Sequence, residues 1–253
     1  MIVVSMTTWP PRAADAVKAM QALVRQEHDE PVKFVLVLSK DEFDEDAEIV
    51  GEMRELGVEV IFDEGNIKSH KKLMPTLKRY PDHPILVVDD DMIQSKGWLQ
   101  TFIDDHRAHP SDIIYGLSGS CVEIENGRIV EGLKQRGMFT FPGKVTHNEK
   151  PANGAAGTLY PPGTFTNKRF FDRELFMQLC PTSDETWQWA WAVMKGKTFR
   201  CLSRCNNPLP NGKNEHALFT TNIHLYTSYH NAIASAFPKY KDALEKLIKD
   251  KNL

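Results

Sequence analysis

The chain has no apolar run approaching ~20 residues, which excludes a bilayer-spanning helix. It has only four cysteines in 253 residues, too few for a disulfide framework. Two of them, Cys201 and Cys205, stand close, but their C-x3-C spacing lacks the second Cys or His pair that a zinc site needs. Such cysteine usage fits a reducing compartment. Basic charge is not in excess either: Lys and Arg number 31 against 34 Asp and Glu, a formal net charge of −3. The electrostatic footprint of a nucleic-acid binder is therefore missing. The opening MIVVSMTTWPPR lacks the basic and long apolar regions of a secretory leader and reads as a first strand. No internal repeat and no low-complexity segment interrupts the chain. The expected location is cytoplasmic.

What is present is an ordinary globular composition, 41% hydrophobic and 26% charged, in a chain long enough to bury a sizeable core. Apolar strands alternate with helix-period segments. Strand Ile2 to Met6 leads to a helix from Ala13 to about Gln26, and strand Val32 to Leu38 to a helix from Asp44 to Leu56. Strand Val58 to Phe62 precedes a helix opening near Ser69, whose hydroxyl is a cap candidate. Strand Ile85 to Val88, an amphipathic segment from Gly97 to His106 capped by Ser95, and strand Ile113 to Leu117 complete the series. This order predicts an α/β fold with a mostly parallel, Rossmann-like sheet and helices on both faces. One domain is expected, in two halves, residues 1–117 and 118–253.

Beyond Leu117 the rhythm changes. Asn126-Gly127 between short apolar pairs predicts a hairpin from Val122 to Val130. Residues 132–168 are rich in Gly, Pro, Asn and Thr and read as a binding loop. Helical patterns return at Arg173 to Leu179, Asp184 to Met194 and Lys239 to Leu247. The last is amphipathic and Lys-bearing; an ordinary packing helix with a solvated face is the favoured reading, and peripheral contact with the inner face of a membrane is the other.

The unbroken run Ile85-Leu86-Val87-Val88 has the character of a central parallel strand, and it empties into Asp89-Asp90-Asp91. Ligands of open α/β sheets bind beyond the carboxyl ends of the strands, where this turn must lie. In an extended turn Asp89 and Asp91 point the same way and can converge on a hard cation, Mn2+ or Mg2+, that bridges diphosphate oxygens. Asp90 turns elsewhere, to a ribose or to no ligand. Caps and solvated turns also use such acids, and the apolar strand before them favours the metal.

Four segments in linked order, VSMTTWPPR, KSHKKLMPTLKRYPDHPILVVDDDM, GAAGTLYPPGTF and LCPTSDETWQWAWAVMKG, resemble bacterial GT-A glycosyltransferases related to glycosyltransferase family two. The resemblance implies metal-dependent transfer of a sugar from a nucleotide-sugar donor, with a UDP-sugar favoured, to a glycan or lipid-linked glycan acceptor in surface polysaccharide synthesis. It places Ser5, Thr7, Thr8 and Arg12 at the nucleotide pocket, where hydroxyls suit ribose or base and Arg suits phosphate; Thr and Pro also build turns. It places Asp63 against base or ribose. Lys68 and Lys71, near a helix N-terminus, are the choice for donor contacts among Lys68, Lys71 and Lys72.

Asn153 to Tyr160 is small-sided around Gly154 and Gly157, which suits either close approach of a ligand or tight strand-on-helix packing. The resemblance runs this strand beneath the transferred sugar. It also puts an acidic pair at Asp184-Glu185, with Glu185 or Asp184 as the base that takes the acceptor proton in an inverting displacement. Acids favour helix first turns for dipole reasons as well. His224, ahead of His216, is its candidate for a further metal ligand. Core packing explains at least one of Trp187, Trp189 and Trp191, and an exposed Trp could stack on a sugar ring. Two other functions remain open. A sugar nucleotidyltransferase shares the sheet but opens with a Gly-rich basic loop that Thr7-Thr8-Trp9-Pro10-Pro11 does not provide, and a non-catalytic carbohydrate- or partner-binding domain would share the scaffold.

Overall fold

The run Ile85–Val88 is wholly buried because it lies inside an eight-stranded sheet with apolar layers on both faces. The computed structural model describes residues 1–116, 118–133, 143–145, 149–151, 155–202, 209–212 and 218–249. Its first elements are β1 (Ile2–Thr7), α1 (Ala13–Val24), β2 (Val32–Ser39), α2 (Glu48–Glu55), β3 (Glu59–Asp63), α3 (Met74–Arg79) and β4 (Ile85–Val88). The four strands are parallel in the order β3-β2-β1-β4. Their carboxyl ends, Ser39, Thr7, Asp63 and Val88, therefore share one edge.

Then follow β5 (Met92–Ile93), α4 (Trp98–Ala108), β6 (Ile113–Tyr115), β7 (Ser118–Glu125), β8 (Arg128–Leu133), β9 (Gly143–Val145), β10 (Glu149–Pro151) and β11 (Thr158–Tyr160). The chain continues through α5 (Arg173–Leu179), α6 (Asp184–Met194), β12 (Phe199–Cys201), β13 (Leu209–Pro210), α7 (Phe219–Asn222), α8 (Tyr226–Ala236) and α9 (Pro238–Lys249). Strands β10, β7 and β8 form a separate antiparallel sheet, and β13 pairs with β5. Asn126 and Gly127, at φ 48° and 78°, make the two-residue turn of the β7–β8 hairpin, as the Asn-Gly pair predicts.

Alternation along the strands sorts the core into two layers. Ile2, Val4, Met6, Leu36, Leu38, Leu86 and Val88 pack with α1, α2 and α4 on one face. Val3, Val35, Val37, Ile85 and Val87 pack on the other with α3, α5, α6, α8 and α9. Helix α6 is buried almost all round, its polar residues Asp184, Thr186 and Gln188 included. Among the described residues no helix is long and apolar enough to cross a membrane.

Three helix starts differ from expectation, the first being that of α2, which opens at Glu48 and not at Asp44. Ser69 caps nothing: it lies within a 3-10 turn, Lys68–Lys72. Pro75, which lacks the N–H that a continuing helix would need, makes α3 begin afresh at Met74. Ser95 gives way to Gly97, which enters α4 in the left-handed region at φ 80°.

The larger difference is β11, which inserts antiparallel between β4 and β6. Residues from the second half of the chain thus complete the sheet of the first. Gly157, just before β11, has φ 86°, and a Cβ there would lie 2.4 Å from Cζ2 of Trp98. Trp98 fills the space beside it and donates its indole N–H to the Ala156 carbonyl at 2.9 Å. The small residue thus meets the need for tight packing against α4, the second of its two expected readings. Gly157→Ala is expected to destabilise the fold by roughly 2–4 kcal/mol, from left-handed strain plus overpacking. Urea denaturation measures this, and an unchanged midpoint would mean that Trp98 has room to yield.

Candidate functional site

The parallel arrangement carries Asp89-Asp90-Asp91 to the carboxyl edge of the sheet, directly after β4. Asp90, 6% exposed, faces inward. It accepts the Thr8 hydroxyl at 2.6 Å and pairs with the Arg12 guanidinium at 3.1 Å. Burial still pushes its carboxyl up to about 6, against the pull of Arg12 and Thr8. Asp91 also pairs with Arg12. Its carboxyl is raised by burial and then by the neighbouring charge of Asp89, with Arg12 opposing.

Asn211, at the end of β13, clamps this turn from outside. Its backbone N–H donates to the Asp91 carbonyl at 2.7 Å, and its side-chain amide donates to the carbonyls of Asp15 and Asp90 at 2.7 and 3.3 Å.

Asp89 is held from another direction. The Lys72 ammonium, at the end of the 3-10 turn, lies 2.6 Å from Asp89 Oδ1 and 3.4 Å from Asp184 Oδ2. Lys72 is only 5% exposed. Burial opposes its charge, but Asp184 and Asp89 outweigh that and raise its pKa above the ordinary lysine value. One buried cation thus joins the acidic turn to the N-terminus of α6.

Ser183 caps α6 by accepting the Thr186 N–H. Asp184 and Glu185 follow in the first turn with different surroundings. The Asp184 side chain is 3% exposed; it is bound to Lys72 and accepts the Gln188 amide at 3.2 Å, which in turn accepts the Tyr160 hydroxyl at 2.8 Å. Burial raises its pKa, with Lys72 opposing. The Glu185 side chain is 22% exposed. It lies 3.5 Å from the Lys150 ammonium and is hydrogen-bonded by Tyr226. Burial raises its pKa too, with Lys150 opposing.

Among the described residues Arg12 bridges Asp90 and Asp91, and Lys72 bridges Asp89 and Asp184. The carboxylate oxygens of this turn are hard donors of the kind Mg2+ and Mn2+ prefer. Among the described residues no three His, Cys, Asp or Glu side chains form a metal-binding group. Asp89 and Asp91 are the residues of the turn that could hold such an ion, and a Mg2+ site can be completed by oxygens of phosphate and water.

No protein-family profile matches the chain, and no curated protein does. Solved structures do. Residues 1–349 of S. aureus TarS in complex with UDP-GlcNAc align at a TM-score of 0.60 with 16% identity, over 97% of this chain and 71% of that one. The same protein in complex with UDP aligns at 0.57 with 18% identity, over 97% and 70%. A 4-diphosphocytidyl-2C-methyl-D-erythritol synthase aligns at 0.50 with 11% identity, over 88% and 98%. The fold is GT-A. At these identities the likeness shows the GT-A fold alone, and the tie to glycosyltransferase family two rests on the sequence resemblance.

Within this GT-A frame the expected site residues separate. Asp89, Asp90, Asp91, Arg12, Thr8 and Asp184 are brought together through Lys72 and Arg12, with Glu185 beside Asp184. Thr8 and Arg12 are committed to the acidic turn. Thr7 donates to the Val37 carbonyl at 2.7 Å, and the buried Ser5 bonds Thr76 at 2.7 Å, so strand and helix contacts use both hydroxyls. Asp63 ends β3 half-buried, 3.4 Å from Arg173, and burial raises its pKa.

Lys71 is buried and pairs with Glu42 at 2.6 Å, while Lys68 is exposed with φ 52°. The lysine at the centre of the site is instead Lys72, which sequence reasoning passed over; His70, Lys71 and Lys72 are all buried, and nothing in the residue pattern separates Lys72 from its neighbours. Trp187, Trp189 and Trp191 are 0%, 2% and 9% exposed, which corrects the idea of a sugar-stacking Trp: all three are core. His224 is exposed, between Asn222, which donates to the Thr182 carbonyl at 2.7 Å, and Tyr226, which bonds Glu185. It does not complete a three-residue metal group with Asp89 and Asp91. His216, Cys205, Asn153 and Gly154 lie outside the described residues.

Proposed function

We propose that the protein is a glycosyltransferase that moves a sugar from a nucleoside-diphosphate donor to an acceptor hydroxyl. The observation that carries this reading is the Lys72 bridge, which unites an acidic turn suited to diphosphate chemistry with an acid pair suited to proton removal. Asp89 and Asp91 would hold Mg2+ or Mn2+, and the metal would neutralise the charge on the departing diphosphate. Thr8, Arg12 and Asn211 hold the turn in shape, so its carboxylates are preorganised before a ligand arrives. Because TarS has been solved with UDP and UDP-GlcNAc, UDP-sugars are the donors of first choice.

Glu185 is the proposed base. It is the more exposed of the pair, whereas Asp184 is closed in by Lys72 and Gln188. A single displacement with Glu185 taking the acceptor proton inverts the anomeric centre, and a glycan or lipid-linked glycan of a bacterial surface polymer is the proposed acceptor. The proposed setting is the cytoplasm or the inner face of the membrane.

Isothermal titration of UDP in the presence of Mn2+ tests the donor half. Asp91→Asn is expected to weaken binding at least tenfold, about 1.4 kcal/mol, and unchanged affinity would remove Asp91 from the site. A nucleotidyltransferase is the second reading, favoured by the likeness to the cytidyl-compound synthase. Product analysis separates the two: sugar transfer releases a nucleoside diphosphate, and nucleotidyl transfer releases pyrophosphate from a nucleoside triphosphate.

A further inference from the structure

Behind Glu185 lies a buried polar chain that the proposed reaction does not use. Glu131 on β8 and Lys150 on β10 have side chains that are each 1% exposed and 3.0 Å apart. Lys150 also reaches Glu185 Oε1 at 3.5 Å, the Thr186 hydroxyl at 3.1 Å and the face of the Tyr226 ring at 4.0 Å. Glu131 is held by more than Lys150. It accepts the Ser120 hydroxyl, and its Oε2 lies 2.7 Å from His230 Nε2 on α8. On its other side His230 Nδ1 lies 2.6 Å from the Tyr240 hydroxyl on α9.

These contacts fix the protons. With Glu131 ionised, His230 donates its Nε2–H to the carboxylate, so Nδ1 accepts from the tyrosine O–H and the ring is neutral. Lys150 is then the ammonium of this chain, shared by two carboxylates of unequal claim. Glu131 is nearer, more buried and held by additional donors, whereas Glu185 receives a longer contact and is partly open to solvent.

We propose that Glu131 is a positioning residue that draws the Lys150 ammonium away from Glu185 and so keeps the Glu185 carboxylate basic. The clause that Glu185 removes the acceptor proton rests on the function proposed above; the sharing of Lys150 does not. The titration directions agree. Although burial would raise Glu131, Lys150 and then His230 hold it down at about 2, while burial raises Glu185 despite Lys150. Among the described residues the other titratable groups near Glu185 are Asp184 on its own helix, Lys72 on the 3-10 turn, Tyr226 on α8, which donates to it, Cys180 at the end of α5 and Tyr160 on β11.

The sign of each substitution follows. In Glu131→Gln, Lys150 keeps Glu185 as its remaining carboxylate, so the Glu185 pKa falls. In Lys150→Met the cation is gone and the Glu185 pKa rises. A role confined to holding the sheet in shape would not produce shifts of opposite sign.

The test is a 13C NMR titration of the whole free protein labelled at the glutamate carboxyl carbons, with the Glu185 resonance identified by its loss in Glu185→Gln. The Glu185 midpoint is expected to fall by about one unit in Glu131→Gln and to rise by about one unit in Lys150→Met, in line with removing or freeing one adjacent opposite charge. The double variant Glu131→Gln/Lys150→Met removes a carboxylate and an ammonium together, so it preserves charge balance and still reads the loss of Lys150 if the single Met variant does not fold. It too is expected to show a raised midpoint. A Glu185 midpoint that is unchanged or higher in Glu131→Gln overturns the proposal. If the midpoints move as expected while Glu185→Gln retains normal transfer, the sharing of Lys150 stands and the assignment of Glu185 as the base falls.

Discussion

Replacement of Lys72 by Met is expected to cost about 3–5 kcal/mol of folding stability, the range for removing one partner of a buried ion pair. The volume is nearly conserved, so the loss comes from charge. Asp89 and Asp184 both lose their common counter-ion, and Asp184 is 2% exposed and already raised by burial. Without the ammonium its folded pKa rises further above the unfolded value. Between those two values the native state then binds a proton that the unfolded state does not. The deficit of the variant is therefore greatest at neutral and alkaline pH, and it shrinks as pH falls through the raised folded value. Urea denaturation of both proteins at pH 8 and pH 5 measures this. Adding Asp184→Asn to Lys72→Met should recover a large part of the loss, because the second substitution removes the stranded charge. A deficit at pH 8 below about 1 kcal/mol, the scale of an exposed pair, would mean that Lys72 is not the shared counter-ion.

The central role of Lys72 also marks how far the sequence could be read. The alternating strands and helices of the first half were legible because each is a local pattern, apolar at a period of two or 3.6. The Asn126-Gly127 turn was legible because its backbone demands positive φ at both residues. The place of strand β11 in the sheet was not legible. The strand is three residues long, it follows Gly-rich chain, and its place between β4 and β6 depends on two partners distant in sequence. Gly157 carried the right signal, a need for space, and Trp98 is what fills that space. The distinction lies in what packs opposite, which no local window contains.

The same division holds for the site. Asp89, Asp91, Asp184 and Glu185 stood out as acids at a strand end and a helix start, positions with a physical meaning of their own. Lys72 and Asn211 did not. Three of the five residues from Lys68 to Lys72 are lysines, and only the tertiary arrangement sends Lys71 to Glu42 and Lys72 to Asp89 and Asp184. Thr8 and Arg12 were legible as polar residues after the first strand, but their partners are the acids of the neighbouring strand end. In the proposed reaction they would act on a donor through the shape of that turn.

Glu185→Gln should have the largest effect on the proposed reaction, a loss of roughly 10²–10⁴-fold in transfer rate, the usual contribution of a positioned general base. Gln keeps the shape and the hydrogen bond from Tyr226, yet it cannot take a proton from an acceptor hydroxyl. Donor affinity should hardly change, because the proposed diphosphate contacts lie on the other side of Lys72, at Asp89 and Asp91. The rate loss should therefore fall on kcat for transfer and leave UDP affinity in a titration with Mn2+ near that of the parent protein. Asp184→Asn makes the informative contrast. It alters the partner of Lys72 and Gln188, so it should disturb stability and the Asp89 turn together, with a smaller direct effect on proton removal. If Asp184→Asn abolishes transfer with the fold and UDP affinity intact, while Glu185→Gln retains it, the roles are reversed and the buried acid is the base. If both retain it, proton removal does not depend on the α6 pair.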